Sequence, residues 1–249
     1  MYDTGQGVPL DHAAAASWYR KAAEQGVATA QSNLAFSYNL GRGVPRDPAA
    51  AAAWYRKAAD QGYPEAQNNL GVMYERGEGV PQDDAAAVSW YRKAAEQGYA
   101  RGQHNLGTMY ESGRGVPRDH AAAAAWYLKA ADKGDTASQV KLGIFYGMGQ
   151  GVSRDPAAAA SWFRKAADQG EAAGQYNLAI LYAGGKGVPR DYVQAYKWFD
   201  LASQRYAASD KESRADAVRD REIVAAKMTP VQIAEAQKLA REWKPQAGR

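Results

Sequence analysis

The sequence predicts an all-α protein, a right-handed α/α superhelical solenoid of 36-residue helix-turn-helix repeats closed by C-terminal capping helices. Three observations carry that reading. Trp18, Trp54, Trp90, Trp126, Trp162 and Trp198 follow one another at 36 residues without a slip, and Asp11, Asp47, Asp83, Asp119, Asp155 and Asp191 keep the same step. Leu34, Leu70, Leu106, Leu142 and Leu178 share it, as do Tyr38, Tyr74, Tyr110, Tyr146 and Tyr182. A fixed period of this length marks a stacked array, and a composition rich in Ala and poor in β-branched residues favours helices as its units.

Each module reads as two helices. The first, in "PEAQNNLGVMYERG", sets Ala66, Leu70 and Tyr74 on one face at i, i+4 and i+8. It is expected at residues 29–40, 65–76, 101–112, 137–148 and 173–184. The second, in "DPAAAAAWYRKAADQG", starts with Asp47 as N-cap and Pro48 at the first helical position, a signal repeated at Asp155-Pro156. Ala51, Trp54, Tyr55 and Ala58 form its apolar stripe, and Gly62 closes it as a left-handed cap. Its expected spans are 12–25, 48–61, 84–97, 120–133, 156–169 and 192–205.

Between modules runs a Gly-x-Gly phrase: "GQGVPLD" at Gly5, then "GRGVPRD", "GEGVPQD", "GRGVPRD", "GQGVSRD" and "GKGVPRD" at Gly41, Gly77, Gly113, Gly149 and Gly185. A Gly-rich stretch opening onto a helix can cradle phosphate. A turn that joins identical modules, however, is needed every time, and no Ser or Thr follows Lys186 as a phosphate loop requires. Met1-Tyr2 aligns with Met73-Tyr74 and Met109-Tyr110, inside a helix, so the chain is expected to start part-way through a module. Residues 1–206 are thus expected to form an N-terminal half repeat plus five full repeats. Residues 207–249 are expected to form a helical cap of the same domain: one polar helix, then a last one started by Thr229-Pro230. Ile233, Ala236, Leu239, Ala240 and Trp243 share a face of that last helix, suited to covering the open end of the stack.

The phrases "AQNNLGVMYERGEGVPQD" and "AAVSWYRKAAEQG" resemble the Sel-1-like repeat, a 36-residue relative of the tetratricopeptide repeat, across about residues 1–205. The tail "AAKMTPVQIAEAQKLAREWKP" resembles an ending common among bacterial members. The resemblance implies a superhelix whose first helices line a concave surface, and a protein that binds other proteins as a scaffold or adaptor, with a regulatory role expected. An envelope-associated or secreted binder, holding polysaccharide, assembly machinery or a host protein, is the alternative. Some secreted members carry a disulfide in each repeat and are linked to penicillin binding; this chain has no cysteine, and that activity is not carried over.

Composition narrows the chemistry. The absence of cysteine removes disulfides, thiolate metal sites and cysteine nucleophiles. The net charge of +4 is spread almost evenly, so no nucleic-acid face is expected. His12, His104 and His120 form no metal-spaced cluster, and no nucleophile elbow occurs. No enzyme activity, cofactor, metal or membrane span is expected. Any targeting signal would lie upstream of Met1, leaving the bacterial cytoplasm, periplasm and exterior all open; the open N-terminal end would permit weak self-association.

The partner site is expected where first helices differ while their packing stripe stays fixed. Four aligned series at i, i+3, i+7 and i+11 share one face. Its polar part, with the neighbouring Glu75 and Glu111, holds Glu65, Asn68, Arg76, Arg101, His104 and Thr108; its apolar part holds Val140, Ile144, Met148, Tyr176 and Ile180. The apolar part would anchor a peptide and the charged part set its register. Next to it, Asn33, Asn69, Asn105 and Asn177, interrupted by Lys141, form an amide series. Tetratricopeptide relatives use such a ladder to bind a peptide backbone; a bond to the neighbouring module is the structural alternative. The Trp series is expected in the core and the Gln31 series in buried amide pairs. Arg20-Lys21 and its copies are expected on a solvated face, with a polyanion stripe as the alternative.

Overall fold

The computed structural model describes residues 10–246. Met1-Tyr2 and the first Gly-x-Gly phrase of the expected half module lie outside them; its second helix does not. The chain divides into two compact units at Asp119/His120. The first holds α1 (His12–Glu24), α2 (Ala28–Leu40), α3 (Pro48–Asp60), α4 (Pro64–Arg76), α5 (Asp84–Glu96) and α6 (Ala100–Ser112). The second holds α7 (His120–Ala131), α8 (Thr136–Met148), α9 (Pro156–Asp168), α10 (Ala172–Gly184), α11 (Tyr192–Arg205), α12 (Lys211–Ala225) and α13 (Pro230–Glu242). The described residues contain no strand. Within each unit every helix packs on the next in sequence through α11, and both α12 and α13 pack on α11.

The helices stand where the periodicity places them, with small shifts at the ends. First helices begin one residue early, and α3, α5 and α9 stop one residue short because Gln61, Gln97 and Gln169 serve as C-caps. Asp47 does two jobs. Its carboxylate accepts from the Ala50 N–H at 2.9 Å, and its own N–H donates to the Tyr38 carbonyl at 2.9 Å, fixing the loop to the preceding helix. Asp83 and Asp191 repeat both bonds, to Ala86 and Tyr74 and to Gln194 and Tyr182. Such a cap stabilises a helix by about 1 kcal/mol.

The Gly-x-Gly phrase is a module joint. Gly77 caps α4 in the left-handed region at φ +67°. Gly79, at φ +71°, lies against the start of α3: a Cβ there would sit 2.1 Å from the Pro48 carbonyl oxygen. The second glycine therefore lets one module's loop touch the backbone of the preceding module's helix, which no side chain allows.

Small residues draw the helices together and aromatic rings fill the remaining space. Ala51, Ala58, Ala66 and Leu70 are fully buried, as are Tyr55 and Tyr91 in the first unit and Tyr127, Phe145 and Phe199 in the second. Burying such a side chain stabilises the fold by roughly 1.5–3 kcal/mol. The tryptophans do not all join them. Trp90 and Trp198 are buried, Trp54, Trp126 and Trp162 are half-buried, and Trp18 is 59% exposed. Four of these rings, Trp54, Trp90, Trp126 and Trp162, are covered by a lysine: Lys57, Lys93, Lys129 and Lys165 hold their ammonium groups 4.0, 3.9, 4.0 and 3.8 Å from the ring centroids three residues before them. The aromatic buried in every second helix from α3 to α11 is thus the Tyr/Phe beside the tryptophan. The Arg-Lys pair expected on a solvated face has contacts of its own, lysine to this ring and arginine to the next module. Arg20 donates to the Tyr38 hydroxyl at 2.7 Å and Arg92 to that of Tyr110 at 3.0 Å; Arg56–Tyr74 and Arg164–Tyr182 repeat the bond.

The glutamine series forms a second inter-module connection. Gln67 Nε2 donates to the Ala59 carbonyl at 3.1 Å, while its Oε1 accepts from Gln97 Nε2 at 2.7 Å. Gln31 is held the same way by Ala23 and Gln61, and Gln139 by Ala131 and Gln169. A buried amide so placed spans the ends of two successive second helices.

In the second unit the C-terminal segment covers α11. Ala236, Ala240 and Val224 are buried with Trp198, Phe199 and Leu201; Ile233, Met228 and Trp243 pack against them. The Trp198 and Trp243 rings meet edge to face at 6.0 Å, and the Arg205 guanidinium lies 4.4 Å from the Trp243 centroid. Arg221 reaches Asp200 at 2.5 Å, which fastens α12 to α11.

Candidate partner-binding face

In the first unit the variable face lies on α4 and α6. Glu65, Asn69, Arg76 and Arg101 line a cavity of about 160 Å³ with Phe36, Asn39, Tyr55 and Glu78. Glu65, Arg76 and Arg101 are exposed, and Arg76 lies 3.8 Å from Glu78. Asn68 is buried. Its Nδ2 donates to Asn69 Oδ1 at 3.3 Å and its Oδ1 accepts from Asn105 Nδ2 at 2.9 Å. The amide series therefore links two modules here. Burial pushes the Tyr55 pKa up, against the lowering effect of neighbouring Asn69. Asn39 Oδ1, at the cavity wall, is buried without a hydrogen-bond partner. Half-buried Thr108 donates to the His104 carbonyl of its own helix at 3.2 Å.

Beside this cavity, four side chains from α4, α5 and the loop after α6 form a network that single-residue reading missed. The Tyr91 hydroxyl donates to Glu75 Oε2 at 2.5 Å; Arg114 donates to Glu75 Oε1 at 2.9 Å and grips Asp84 with two bonds of 3.1 and 2.7 Å. Burial and Glu75 raise the Tyr91 pKa, and the bond to Asp84 raises that of Arg114.

In the second unit the variable face is apolar. Ile144, Asn177 and Ile180 line a cavity of about 360 Å³ with Gly143, Gly147, Met148, Phe163 and Leu181, and with Arg154 and Lys186 as its two cations. Met148 is 68% and Ile180 38% exposed. Half-buried Val140 packs with Ile144 and Tyr176 on the core of this unit. Asn177 Nδ2 donates to the Ala173 carbonyl one turn back at 2.8 Å. Tyr176 is engaged by the C-terminal segment: its hydroxyl donates to Asp220 Oδ2 at 2.7 Å, and its ring meets those of Phe199 and Tyr206 edge to face. Burial first, then the Asp220 carboxylate, raise its pKa. Among the described residues no cluster of three His, Cys, Asp or Glu could hold a metal, and no helix is long and apolar enough to cross a membrane.

Helix pairs joined by recurring glutamine, arginine and glycine contacts define a helical-repeat protein. The chain belongs to the Sel1 repeat family, whose sequence profile matches residues 1–27, 28–63, 64–99, 100–135, 136–171 and 172–205. It is similar to a protective antigen of uropathogenic Escherichia coli strains with an SLR fold, at 40% identity and a TM-score of 0.80 over 97% of this chain and 51% of the other. A Sel1 repeat protein from Oxalobacter formigenes matches at 39% identity and a TM-score of 0.76, over 84% of this chain and 61% of the other. The chain thus spans about half to three fifths of the length of these two relatives. An immunity protein from Pseudomonas aeruginosa, 24% identical with a TM-score of 0.52, shares the fold alone. No curated protein matches the chain. Sel1 repeats serve in general as protein-interaction scaffolds on a non-catalytic fold.

Proposed function

We propose that this chain is a regulatory scaffold that holds a peptide segment of a partner protein on the exposed face of its first helices, and that it catalyses no reaction. One observation carries the reading: Glu65, Arg76 and Arg101 in the first unit and Ile144, Met148 and Ile180 in the second, which differ from module to module, line cavities, while the recurring glutamine and arginine residues join modules. A face that stacking leaves free is free to be shaped for a ligand. In the first unit, Arg101 and Glu65 offer charge, and Asn39 Oδ1 offers a buried acceptor for a peptide N–H. In the second, Ile144 and Ile180 offer apolar surface. Placement at the cell envelope or outside the cell is favoured by one relative, which is described as a protective antigen.

The test is affinity capture from bacterial soluble and envelope fractions, followed by calorimetry on the captured partner. Wild type is compared with Glu65→Ser/Arg101→Ser and with Ile180→Ser, all at exposed positions. A partner held by wild type and weakened at least tenfold by either variant supports the proposal. A partner held equally by all three refutes the assigned face.

A further inference from the structure

The cavity of the second unit is what remains when the four-residue network of the first is rewritten two modules on. Adding 72 to each member gives Gly147 for Glu75, Pro156 for Asp84, Phe163 for Tyr91 and Lys186 for Arg114. All four line that cavity. In the first unit the arginine is answered by two carboxylates and the tyrosine hydroxyl by one of them. In the second, both carboxylates and the hydroxyl are gone and only the cation persists. Glycine at 147 opens volume where the other modules carry Asn39, Glu75, Glu111 and Ala183. No carboxylate lines the cavity, and Lys186 has no ion-pair partner among the described residues. Arg154 Nε is taken by the Gly147 carbonyl at 3.1 Å, which leaves its terminal nitrogens to donate.

We infer that this cavity takes a bulky apolar side chain of a partner peptide whose neighbouring Asp or Glu pairs with Lys186, replacing the carboxylates that Glu75 and Asp84 provide in the first unit. This rests on the scaffold reading above and specifies its ligand. A low-dielectric floor beside an uncompensated cation favours a ligand that is apolar and anionic at once. A neutral apolar segment leaves Lys186 unanswered, and a basic one meets two like charges.

The test uses a peptide array with Trp, Phe, Leu or Ala at the centre and Asp or Lys two positions on. Variants are Gly147→Glu/Phe163→Tyr, which restores a pair the fold already accommodates, and Lys186→Glu. Wild type is expected to select bulky apolar centres followed by Asp. The double variant, its helix content and melting temperature retained, is expected to lose that selection by at least tenfold. Lys186→Glu is expected to shift preference from Asp to Lys. Equal binding by wild type and the double variant, or indifference to the Asp/Lys exchange, overturns the inference. So does displacement of the fluorescent anion anilinonaphthalene sulfonate by decanoate but by none of the peptides, which assigns the cavity to a lipid. A captured partner that ignores all these variants leaves the scaffold reading standing and removes only this one; absence of any captured partner from bacterial fractions and host extracts alike removes the scaffold reading itself.

Discussion

Gly79→Ala and Gly62→Ala form a matched pair that measures what the close approach between modules is worth. Both glycines sit at positive φ, +71° and +87°, so alanine at either suffers the same left-handed penalty of about 1–2 kcal/mol. Alanine also stiffens the unfolded chain, which returns about 0.4–1 kcal/mol. The surroundings separate the two. Around a Cβ on Gly62 nothing lies within 4 Å, whereas a Cβ on Gly79 would sit 2.1 Å from the Pro48 oxygen and 2.3 Å from its carbon. Both are backbone atoms inside a capped helix, so the joint must open by more than 1 Å. Overpacking of this kind costs a further 1–3 kcal/mol or so. Gly62→Ala is expected to cost about 0.5–1.5 kcal/mol and Gly79→Ala about 2–4 kcal/mol, read from urea unfolding followed by circular dichroism at 222 nm. Equal losses for the two would refute the claim that the second glycine of the phrase exists for contact between modules.

Other perturbations follow from the same contacts. Gln97→Ala leaves Gln67 Oε1 without its 2.7 Å donor and is expected to cost about 1–2 kcal/mol, while Gln25→Ala at an exposed helix end stays within about 0.5 kcal/mol. Tyr176→Phe removes the bond to Asp220 and is expected to lower stability by about 1–2 kcal/mol, with faster amide exchange in α12 than in α8. Alkali is expected to destabilise the fold through its tyrosines. Burial raises the pKa of Tyr55, Tyr91 and Tyr176 above 10.0 and brings Tyr206 to about 12. Above pH 10 the unfolded chain releases protons that the native one keeps, so the stability present below pH 10 is lost as pH rises toward 12. Phenolate absorbance at 295 nm should lag behind that of the urea-unfolded chain, and by less in Tyr206→Phe.

The helices were legible because their signals are local. Asp47 at the N-cap, Pro48 beside it and Gly62 past the end each act within four residues, so one copy predicts the others. Which aromatic enters the core was not legible from the stripe. Trp90 and Tyr91 are both buried, whereas Trp54 stays half-buried beside buried Tyr55 and Trp162 beside buried Phe163; room for the Tyr91 ring comes from Gly71, which has no Cβ to meet it. A Cβ on Gly143 would likewise fall 2.4 Å from the Phe163 ring. Gln67 and Gln97 both read as polar residues, and their bond joins the ends of helices 30 positions apart. The variable face was visible as a change of character at module four. Its cause was not, because Glu75, Asp84, Tyr91 and Arg114 meet only once three segments fold together.

The module contacts also constrain how such a chain can lengthen. They recur at fixed separations, 8 residues for Gln67 to Ala59, 18 for Arg92 to Tyr110 and 30 for Gln97 to Gln67. Duplication of a 36-residue stretch that carries these residues, wherever the cut falls, places each partner at the proper distance in both copies. Gain or loss of a single residue inside a module breaks several at once. Recombination between copies can therefore add or delete whole modules without passing through an unfoldable ancestor, and each new copy brings a fresh exposed face that mutation can reshape while the joints on its other sides stay intact.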